Sequence, residues 1–400
     1  MQILTEIISP AATAIAPALI IPGVRDTLLG GLSRSLFLER HWQKLPLLVH
    51  GAIPGFRDLL GLRELIALAT RGECEARLVV GNHGKREIVH GPLRKGIFRD
   101  LPARDWTLLV QGVNHAVPSA RELLRRFSFV PHARLDDLMV SYAAPGGGVG
   151  PHVDSYDVFL LQGSGDRSWQ VSAQRDLEPV TDSPLQILKR FRPAGRCVVS
   201  AGDMLYLPPG YAHNGVAQGA CLTYSIGFRA PEYQELKSQF LAYLDDVIQI
   251  DGRYRDPRPT VPTHAGEISN NMITDVSSAL SRISWKRSAV IDFMGRHLSE
   301  PKQDIVLHRP PELGYAEFSR RVCDKGIELH PALPLLFHGS RCFINGEAFN
   351  IRPDERKGIV ALADRRRLAG PEVCKARHAT RIFREWYGYG YLNVGTWEQS

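Results

Sequence analysis

Residues 145–154 read Pro-Gly-Gly-Gly-Val-Gly-Pro-His-Val-Asp, a glycine-rich turn that runs directly into a His-x-Asp pair. Side chains two residues apart in a β-strand face the same side, so His152 and Asp154 can direct an imidazole and a carboxylate at one ion. A His-x-Asp pair also occurs by chance in many sequences, and the glycines alone indicate only a tight turn with positive φ angles. The surrounding sequence is therefore needed to distinguish a metal-binding His-x-Asp pair from a chance occurrence.

A second histidine completes a candidate metal site. His213 lies 59 residues beyond Asp154, after the turn Pro208-Pro209-Gly210. Two histidines and one carboxylate on one face of an octahedron leave three positions open, which suits non-haem Fe(II) oxygenases that must seat both a cosubstrate and dioxygen. The sequence therefore predicts a metal site formed by His152, Asp154 and His213, with no catalytic residue beyond these ligands.

The metal motif lies inside a β-rich region. From about residue 76 to 230, short apolar runs alternate with turn residues, a pattern typical of a sandwich or barrel. Residues 26–72 and 232–300 instead have apolar side chains at helical spacing. Prolines at Pro231 and Pro301 mark boundaries on the C-terminal side. The pattern predicts a β-barrel core between helical segments.

Composition is that of an ordinary globular protein. The chain has 400 residues, of which 44% are hydrophobic, and no run of about 18 apolar residues that would predict a membrane span. Six scattered cysteines without a Cys-x-x-Cys pair argue against a disulfide framework and favour the reducing cytoplasm. The net charge of +7 favours an acidic partner such as ribosomal RNA, although a merely basic surface explains it equally well.

A cationic residue follows the His-x-Asp pair. Arg167 lies in the run Gly-Asp-Arg-Ser-Trp, residues 165–169. A buried arginine can hold the distal carboxylate of 2-oxoglutarate with two parallel hydrogen bonds. From the residues alone, however, a solvated charge on a hairpin is the better interpretation of Arg167.

Several segments resemble the bacterial ribosomal oxygenases, which belong to the JmjC and cupin-like group. The similarity is carried by residues 141–171, 202–210 and 224–231, and residues 37–48 resemble the N-terminal segment of that family. These motifs are specific because several must occur in order at fixed spacing. The resemblance implies an α+β fold with a double-stranded β-helix core (jelly-roll or cupin, JmjC-like), a helical dimerisation region and a C-terminal winged helix.

The same resemblance implies three domains. A catalytic domain with a helical N-terminal segment is expected over residues 1–231. A helical dimerisation domain is expected over 232–305, and a winged-helix-like domain over 306–400. The last fifty residues, 351–400, contain ten Lys or Arg against six Asp or Glu. A winged helix with this charge could touch ribosomal RNA, and a scaffold role fits the short run Arg365-Arg366-Arg367 at least as well.

The resemblance also assigns roles to the residues of the candidate site. By position, His152, Asp154 and His213 match the iron ligands of the family. Arg167 matches the basic residue that binds the distal carboxylate of 2-oxoglutarate.

Three further cosubstrate contacts are expected on neighbouring strands. Tyr142 matches a position that assists the carboxylate contact in related human enzymes, although the bacterial members differ there. Thr223 and Ser225 are expected to face inward on the last strand of the core.

The implied activity is that of a 2-oxoglutarate-dependent dioxygenase with Fe(II) as cofactor and O2 as second cosubstrate. The bacterial branch is similar to enzymes that hydroxylate the β-carbon of one arginine in a protein of the large (50S) ribosomal subunit. That protein would be the main partner, and a homodimer in the cytoplasm without membrane contact is expected.

Three other interpretations stay open. Human relatives hydroxylate histidines, so a histidine-directed ribosomal protein hydroxylase is one alternative. A cupin metalloenzyme that does not use 2-oxoglutarate is another, but it would have no use for a carboxylate-binding Arg167. A non-enzymatic barrel used for dimerisation or RNA contact is the third, and the intact metal ligands argue against it.

Overall fold

A computed structural model describes residues 17–18, 27–81, 86–181, 185–256, 261, 263–301 and 305–396. These residues form two compact units that divide between Ala230 and Pro231. Within the described residues, no helix has both the length and the apolar character needed to cross a membrane.

The first unit is mostly β-structure with short helices. Its helices are α1 (Arg34–Arg40), α2 (Leu62–Arg71), α3 (Val113–Ala116) and α4 (Pro118–Arg125). Its strands are β1 (Pro17–Ala18), β2 (Leu47–Val49), β3 (Ala76–Val80), β4 (Glu87–His90), β5 (Trp106–Val110), β6 (Leu135–Ala143), β7 (His152–Val153), β8 (Val158–Gln162), β9 (Arg167–Ser172), β10 (Gly195–Val199), β11 (Met204–Leu207), β12 (Ala212–Ala217) and β13 (Cys221–Phe228).

The strands of the first unit form two sheets. The larger sheet has the order β1-β2-β11-β8-β13-β6-β5-β3-β4, and the smaller one has the order β10-β9-β12-β7. From β6 onward the chain crosses repeatedly between the two sheets, and the strand pairs formed there are antiparallel. This alternation is that of a double-stranded β-helix, so the predicted barrel core is confirmed.

Strand alternation divides the apolar residues between two layers. On β8, Phe159 and Leu161 join a large cluster with the helices, whereas Val158 and Leu160 join a second cluster with Trp169 on the smaller sheet. A strand buried on both faces reads as a continuous apolar run rather than an alternating one. Each fully buried large side chain contributes about 1.5–3 kcal/mol, so these layers hold the two sheets at fixed positions on either side of the site.

The second unit combines helices with small sheets. Its helices are α5 (Tyr233–Val247), α6 (Asn270–Leu280), α7 (Arg287–Ser299), α8 (Tyr315–Lys325), α9 (Arg356–Arg365), α10 (Gly370–Lys375) and α11 (Thr380–Gly388). Its strands are β14 (Ile327–Leu329), β15 (Leu336–His338), β16 (Arg341–Ile344), β17 (Glu347–Asn350), β18 (Arg367–Leu368) and β19 (Leu392–Val394). β14 pairs with β18 and β19, and β15–β17 form a meander.

Two features of the second unit did not follow from the sequence. Cys323 on α8 and Cys374 on α10 form a disulfide across 51 residues of chain, although the scattered cysteines predicted no disulfide framework. Helix α7 lies against β15–β17, and a Cβ on its Gly295 would overlap the ring of Phe343 on β16. The expected domain boundary between residues 305 and 306 stays a prediction. Helix α7 precedes this boundary in sequence but packs on strands β15–β17, which follow it.

Candidate metal centre

Strand pairing in the smaller sheet assembles the three predicted metal ligands. His152 is the first residue of β7, Asp154 follows directly after β7, and His213 is the second residue of β12. The antiparallel register places His213 opposite His152. One potential ligand atom from each of the three residues lies within 4.8 Å of the other two. The Gly210 N–H donates to the Asp154 carbonyl oxygen at 3.0 Å, which ties the turn before His213 to the His-x-Asp segment.

Backbone hydrogen bonds orient both imidazoles. Nδ1 of His152 lies 2.9 Å from the carbonyl oxygen of Gly150, and Nδ1 of His213 lies 3.0 Å from that of Tyr211. A carbonyl oxygen only accepts, so each Nδ1 donates, and in the neutral imidazole this leaves the lone pair on Nε2. The two Nε2 atoms lie 3.9 and 3.5 Å from the Asp154 carboxylate oxygens. Three ligand atoms therefore converge on one point.

The electrostatics of the cluster suit a divalent cation. Burial, together with the neighbouring His152, lowers the pKa of His213 to about 4, against the opposing effect of Asp154. His213 is therefore neutral at physiological pH, which is the form that binds a metal. Two imidazole nitrogens and one carboxylate oxygen are a donor set that fits Fe(II). His152 and Asp154 remain partly exposed on the side that faces a cavity.

A cavity of about 460 Å³ lies between the two sheets and is lined by the metal ligands and by Arg167. Arg167 is only 5% exposed. Its Nη1 donates to Ser141 Oγ at 3.3 Å and to Thr223 Oγ1 at 3.1 Å. Its guanidinium carbon lies 5.5 Å from the ring centre of Trp169. Arg167 thus lines the cavity and is buried, so the alternative of a solvated hairpin charge is wrong.

The charge of Arg167 is not balanced by the described part of the chain. Its partners there are hydroxyl groups, the Cys221 thiol and an aromatic ring, and no ion pair joins it to a carboxylate. Burial lowers the pKa of this guanidinium, which shows how unfavourable its desolvation is. Arginine stays protonated in proteins, so the site retains a buried positive charge. A carboxylate on a bound molecule would compensate it.

Of the three further cosubstrate contacts predicted from the sequence, two lie at the cavity or on Arg167 and one does not. Thr223 accepts the hydrogen bond from Arg167, and Ser225 lines the cavity. Tyr142 lies on the opposite face of β6, with its ring centre 5.2 Å from that of Trp106, and is not among the described residues that line the cavity. Its neighbour Ser141 occupies the inward position instead. Pairing of Ser141 with Thr223 across β6 and β13 is the signal that would have identified it.

Glycines let the turn before the metal motif pack closely. A Cβ on Gly148 would overlap the carbonyl oxygen of Gly215 on β12. Gly150 has φ +92°, and a Cβ there would lie 2.8 Å from Nη1 of Arg86. A side chain at position 148 would push the turn away from β12 and shift His152. At position 150 the positive φ itself disfavours any residue with a side chain.

The fold and the site together define a class of protein. A double-stranded β-helix that carries two imidazoles and a carboxylate on one face, with an uncompensated arginine in the same cavity, is the arrangement of non-haem Fe(II) oxygenases.

Comparison with known proteins narrows the class. A family model for the JmjC domain matches residues 122–236, and one for the ROXA-like winged helix matches residues 282–393. The chain is 35% identical over 280 residues to the ribosomal protein uL16 3-hydroxylase of Escherichia coli, across 70% of this chain and 74% of that protein. It is 37% identical over 210 residues to a probable ribosomal oxygenase of Haemophilus influenzae, across 51% of this chain and 52% of that protein.

Solved structures agree with the sequence comparison. The Escherichia coli ribosomal oxygenase YcfD matches with a TM-score of 0.77 and 30% identity, over 91% of this chain and 98% of that one. A structure of the same protein with cobalt and 2-oxoglutarate also matches with a TM-score of 0.77 and 30% identity, over 90% of this chain and 98% of that one. The chain belongs to the JmjC family of ribosomal oxygenases. The family and fold predicted from the sequence are therefore confirmed.

Proposed function

We propose that this chain is an Fe(II)- and 2-oxoglutarate-dependent dioxygenase that hydroxylates the β-carbon of an arginine in a large-subunit ribosomal protein. The observation that carries the proposal is the buried, uncompensated Arg167 in the same cavity as His152, Asp154 and His213. A cupin enzyme without 2-oxoglutarate would have no use for that charge. The similarity to a ribosomal protein uL16 3-hydroxylase supports the substrate and the position of the new hydroxyl group.

Each group of residues has a separate task in this reaction. When bound, iron and 2-oxoglutarate supply the oxidising power: one atom of O2 enters a C–H bond of the substrate, and 2-oxoglutarate becomes succinate and carbon dioxide. His152, Asp154 and His213 would hold the metal, with their Nδ1 hydrogen bonds fixing the imidazole planes. Arg167 would hold the distal carboxylate of 2-oxoglutarate, in an orientation set by Ser141 and Thr223.

A second region of the cavity favours arginine over histidine as the target. Asp137 lies four residues along β6 from Ser141, lines the cavity and is 5% exposed. A Cβ on Gly227 would lie 3.8 Å from Asp137 Oδ1 and 4.0 Å from the ring of Tyr156. The carboxylate and the ring therefore flank the open space above Gly227. A guanidinium can pair with such a carboxylate and stack on the ring, whereas a neutral imidazole gains little from the charge.

Mass spectrometry of large-subunit ribosomal proteins tests this function. With Fe(II), 2-oxoglutarate and O2, one oxygen atom should be added to an arginine of one protein. Asp137→Asn should lower kcat/KM for that protein about tenfold or more, because a charge-assisted hydrogen bond contributes about 1.5–3 kcal/mol. The asparagine can still accept the 2.8 Å hydrogen bond from Gly112 N, so the local fold is kept. Oxidation of a histidine, or an Asp137→Asn enzyme as efficient as wild type, would contradict the arginine assignment.

A homodimer is also part of the proposal. Helix α6 has no buried residue, and its Ile273, Val276 and Leu280 are 51, 38 and 55% exposed. These three side chains share one face of the helix, because residues three, four and seven apart do so. A stripe of this kind is unfavourable in water, and a second copy of the chain would cover it.

Light scattering at micromolar concentration should give the mass of a dimer. Leu280→Asp should shift the protein towards monomer, because it places a charge in the apolar stripe. Ser278→Asp, on the opposite face of the same helix, is the matched control and should remain dimeric. A monomeric wild-type protein would rule out the dimer without affecting the proposed chemistry.

Contact with ribosomal RNA and a cytoplasmic location stay predictions. The basic composition of residues 351–400 and the winged-helix match support the RNA contact. The ribosomal proteins that the relatives act on support the location.

A further inference from the structure

One buried hydroxyl group in the cavity has no partner. Thr107 on β5 is 1% exposed, and its Oγ1 makes no hydrogen bond within the described residues. Buried hydroxyl groups almost always have a partner in folded proteins, because an unsatisfied one is unfavourable. Where no protein atom provides it, the partner is commonly a bound molecule.

Strand register places Thr107 at the Arg167 end of the cavity. Thr107 pairs with Val79 on β3 and Ala143 on β6, and both Thr107 and Val79 line the cavity. Ala143 in turn pairs with Cys221, which interacts with Arg167. A Cβ on Gly147 would lie 3.0 Å from Thr107 Oγ1, so only a glycine lets the turn come this close to the hydroxyl group.

The hydroxyl groups around Arg167 differ in whether their proton is available to a ligand. Thr223 Oγ1 accepts from Arg167 and donates its own proton to Gln162 Oε1 at 3.0 Å. Thr223 therefore has no proton left and acts as a positioning residue for Arg167. Thr107 has no acceptor of its own, so its proton is still available.

We propose that Thr107 is a specificity-determining residue that donates a hydrogen bond to the distal carboxylate of the 2-oxo acid cosubstrate held by Arg167. The inference rests on the proposed function and deepens it. A five-carbon 2-oxo diacid balances the charge of Arg167 and accepts the proton of Thr107, whereas a 2-oxo monoacid leaves that charge uncompensated and that hydroxyl group without a partner. The chain thereby selects the diacid.

Calorimetric titration of the full chain loaded with Mn(II), in the absence of substrate protein, tests the inference. Thr107→Val keeps the shape of the side chain and removes the hydroxyl group. This variant should bind 2-oxoglutarate about tenfold more weakly, as expected for the loss of a hydrogen bond to a charged group. Thr107→Ser should bind like wild type. The affinity for 2-oxobutyrate, which lacks the distal carboxylate, should be the same in all three proteins.

The melting temperature of the metal-free protein separates a ligand-binding role from a structural one. Thr107→Val removes an unsatisfied polar group, so its melting temperature should be unchanged or higher. The inference would be overturned if Thr107→Val bound 2-oxoglutarate as tightly as wild type, or if its affinity for 2-oxobutyrate fell as much as its affinity for 2-oxoglutarate. A large drop in its melting temperature would also overturn it. If wild type itself did not bind 2-oxoglutarate, the proposed function would fail instead.

Discussion

Replacing His152 or Asp154 by alanine should reduce turnover of 2-oxoglutarate to the background rate. Only three side chains converge on the metal position in the described part of the chain, so none can substitute for a lost one. A bound metal typically contributes several kcal/mol to the reaction, so the loss should be on the order of a thousandfold or more. Elemental analysis after dialysis should show a parallel loss of bound metal, and circular dichroism should show an unchanged fold.

A control histidine makes this result specific. His264 is exposed and lies outside the catalytic unit, so His264→Ala should keep full turnover and full metal content. Turnover at the wild-type rate by either ligand variant at saturating Fe(II) would show that the metal lies elsewhere. Loss of turnover with retained metal would assign His152 or Asp154 a role other than ligation.

The metal site could be predicted from the sequence because its geometry follows from short-range spacing. His152 and Asp154 are two residues apart in an extended segment, so they share one side whatever the rest of the chain does. His213 needed only a second strand next to the first, and the register of β7 with β12 provides it.

The surroundings of the site could not be predicted in the same way. Burial of Arg167 depends on packing between two sheets, and the sequence around it reads as an exposed turn. The choice between Ser141 and Tyr142 depends on which face of β6 points inward, and a shift of one residue reverses it. Cys323 and Cys374 are 51 residues apart in sequence, and their pairing depends on the packing of α8 against α10.

The two ends of the cavity carry opposite charges. At one end, Arg167, Ser141, Thr223 and Thr107 form a buried, cationic surface that suits a carboxylate. Along β6 towards the other end, Asp137 and Asp136 line the cavity together with one cation, Arg77, and leave a net negative charge that suits a cation. The metal ligands line the same cavity. The opposite charges would keep the cosubstrate and the side chain of the target from exchanging places, since each is repelled by the other's binding surface.

Arg167→Ala should weaken the binding of 2-oxoglutarate by about ten- to a hundredfold while leaving metal affinity unchanged. A guanidinium facing a carboxylate in a dry pocket makes charge-assisted hydrogen bonds that contribute about 1.5–3 kcal/mol, and about 1.4 kcal/mol corresponds to a factor of ten. Metal affinity should be retained because Arg167 is not a ligand. The affinity of Arg167→Lys for 2-oxoglutarate should lie between those of wild type and Arg167→Ala, because lysine keeps the charge but loses the planar fork that binds both carboxylate oxygens.

The apparent KM for 2-oxoglutarate, measured together with Fe(II) affinity, checks this result. Arg192 is exposed on the segment between β9 and β10, so Arg192→Ala removes an arginine of the same charge without touching the cavity and should leave both constants unchanged. A rise in KM for Arg167→Ala alone would place the distal carboxylate at Arg167. An unchanged KM would mean that another basic residue, or another cosubstrate, occupies the site. A loss of Fe(II) affinity in Arg167→Ala would instead show that the guanidinium supports the metal ligands, because a pure carboxylate contact has no means of changing metal binding in the absence of cosubstrate.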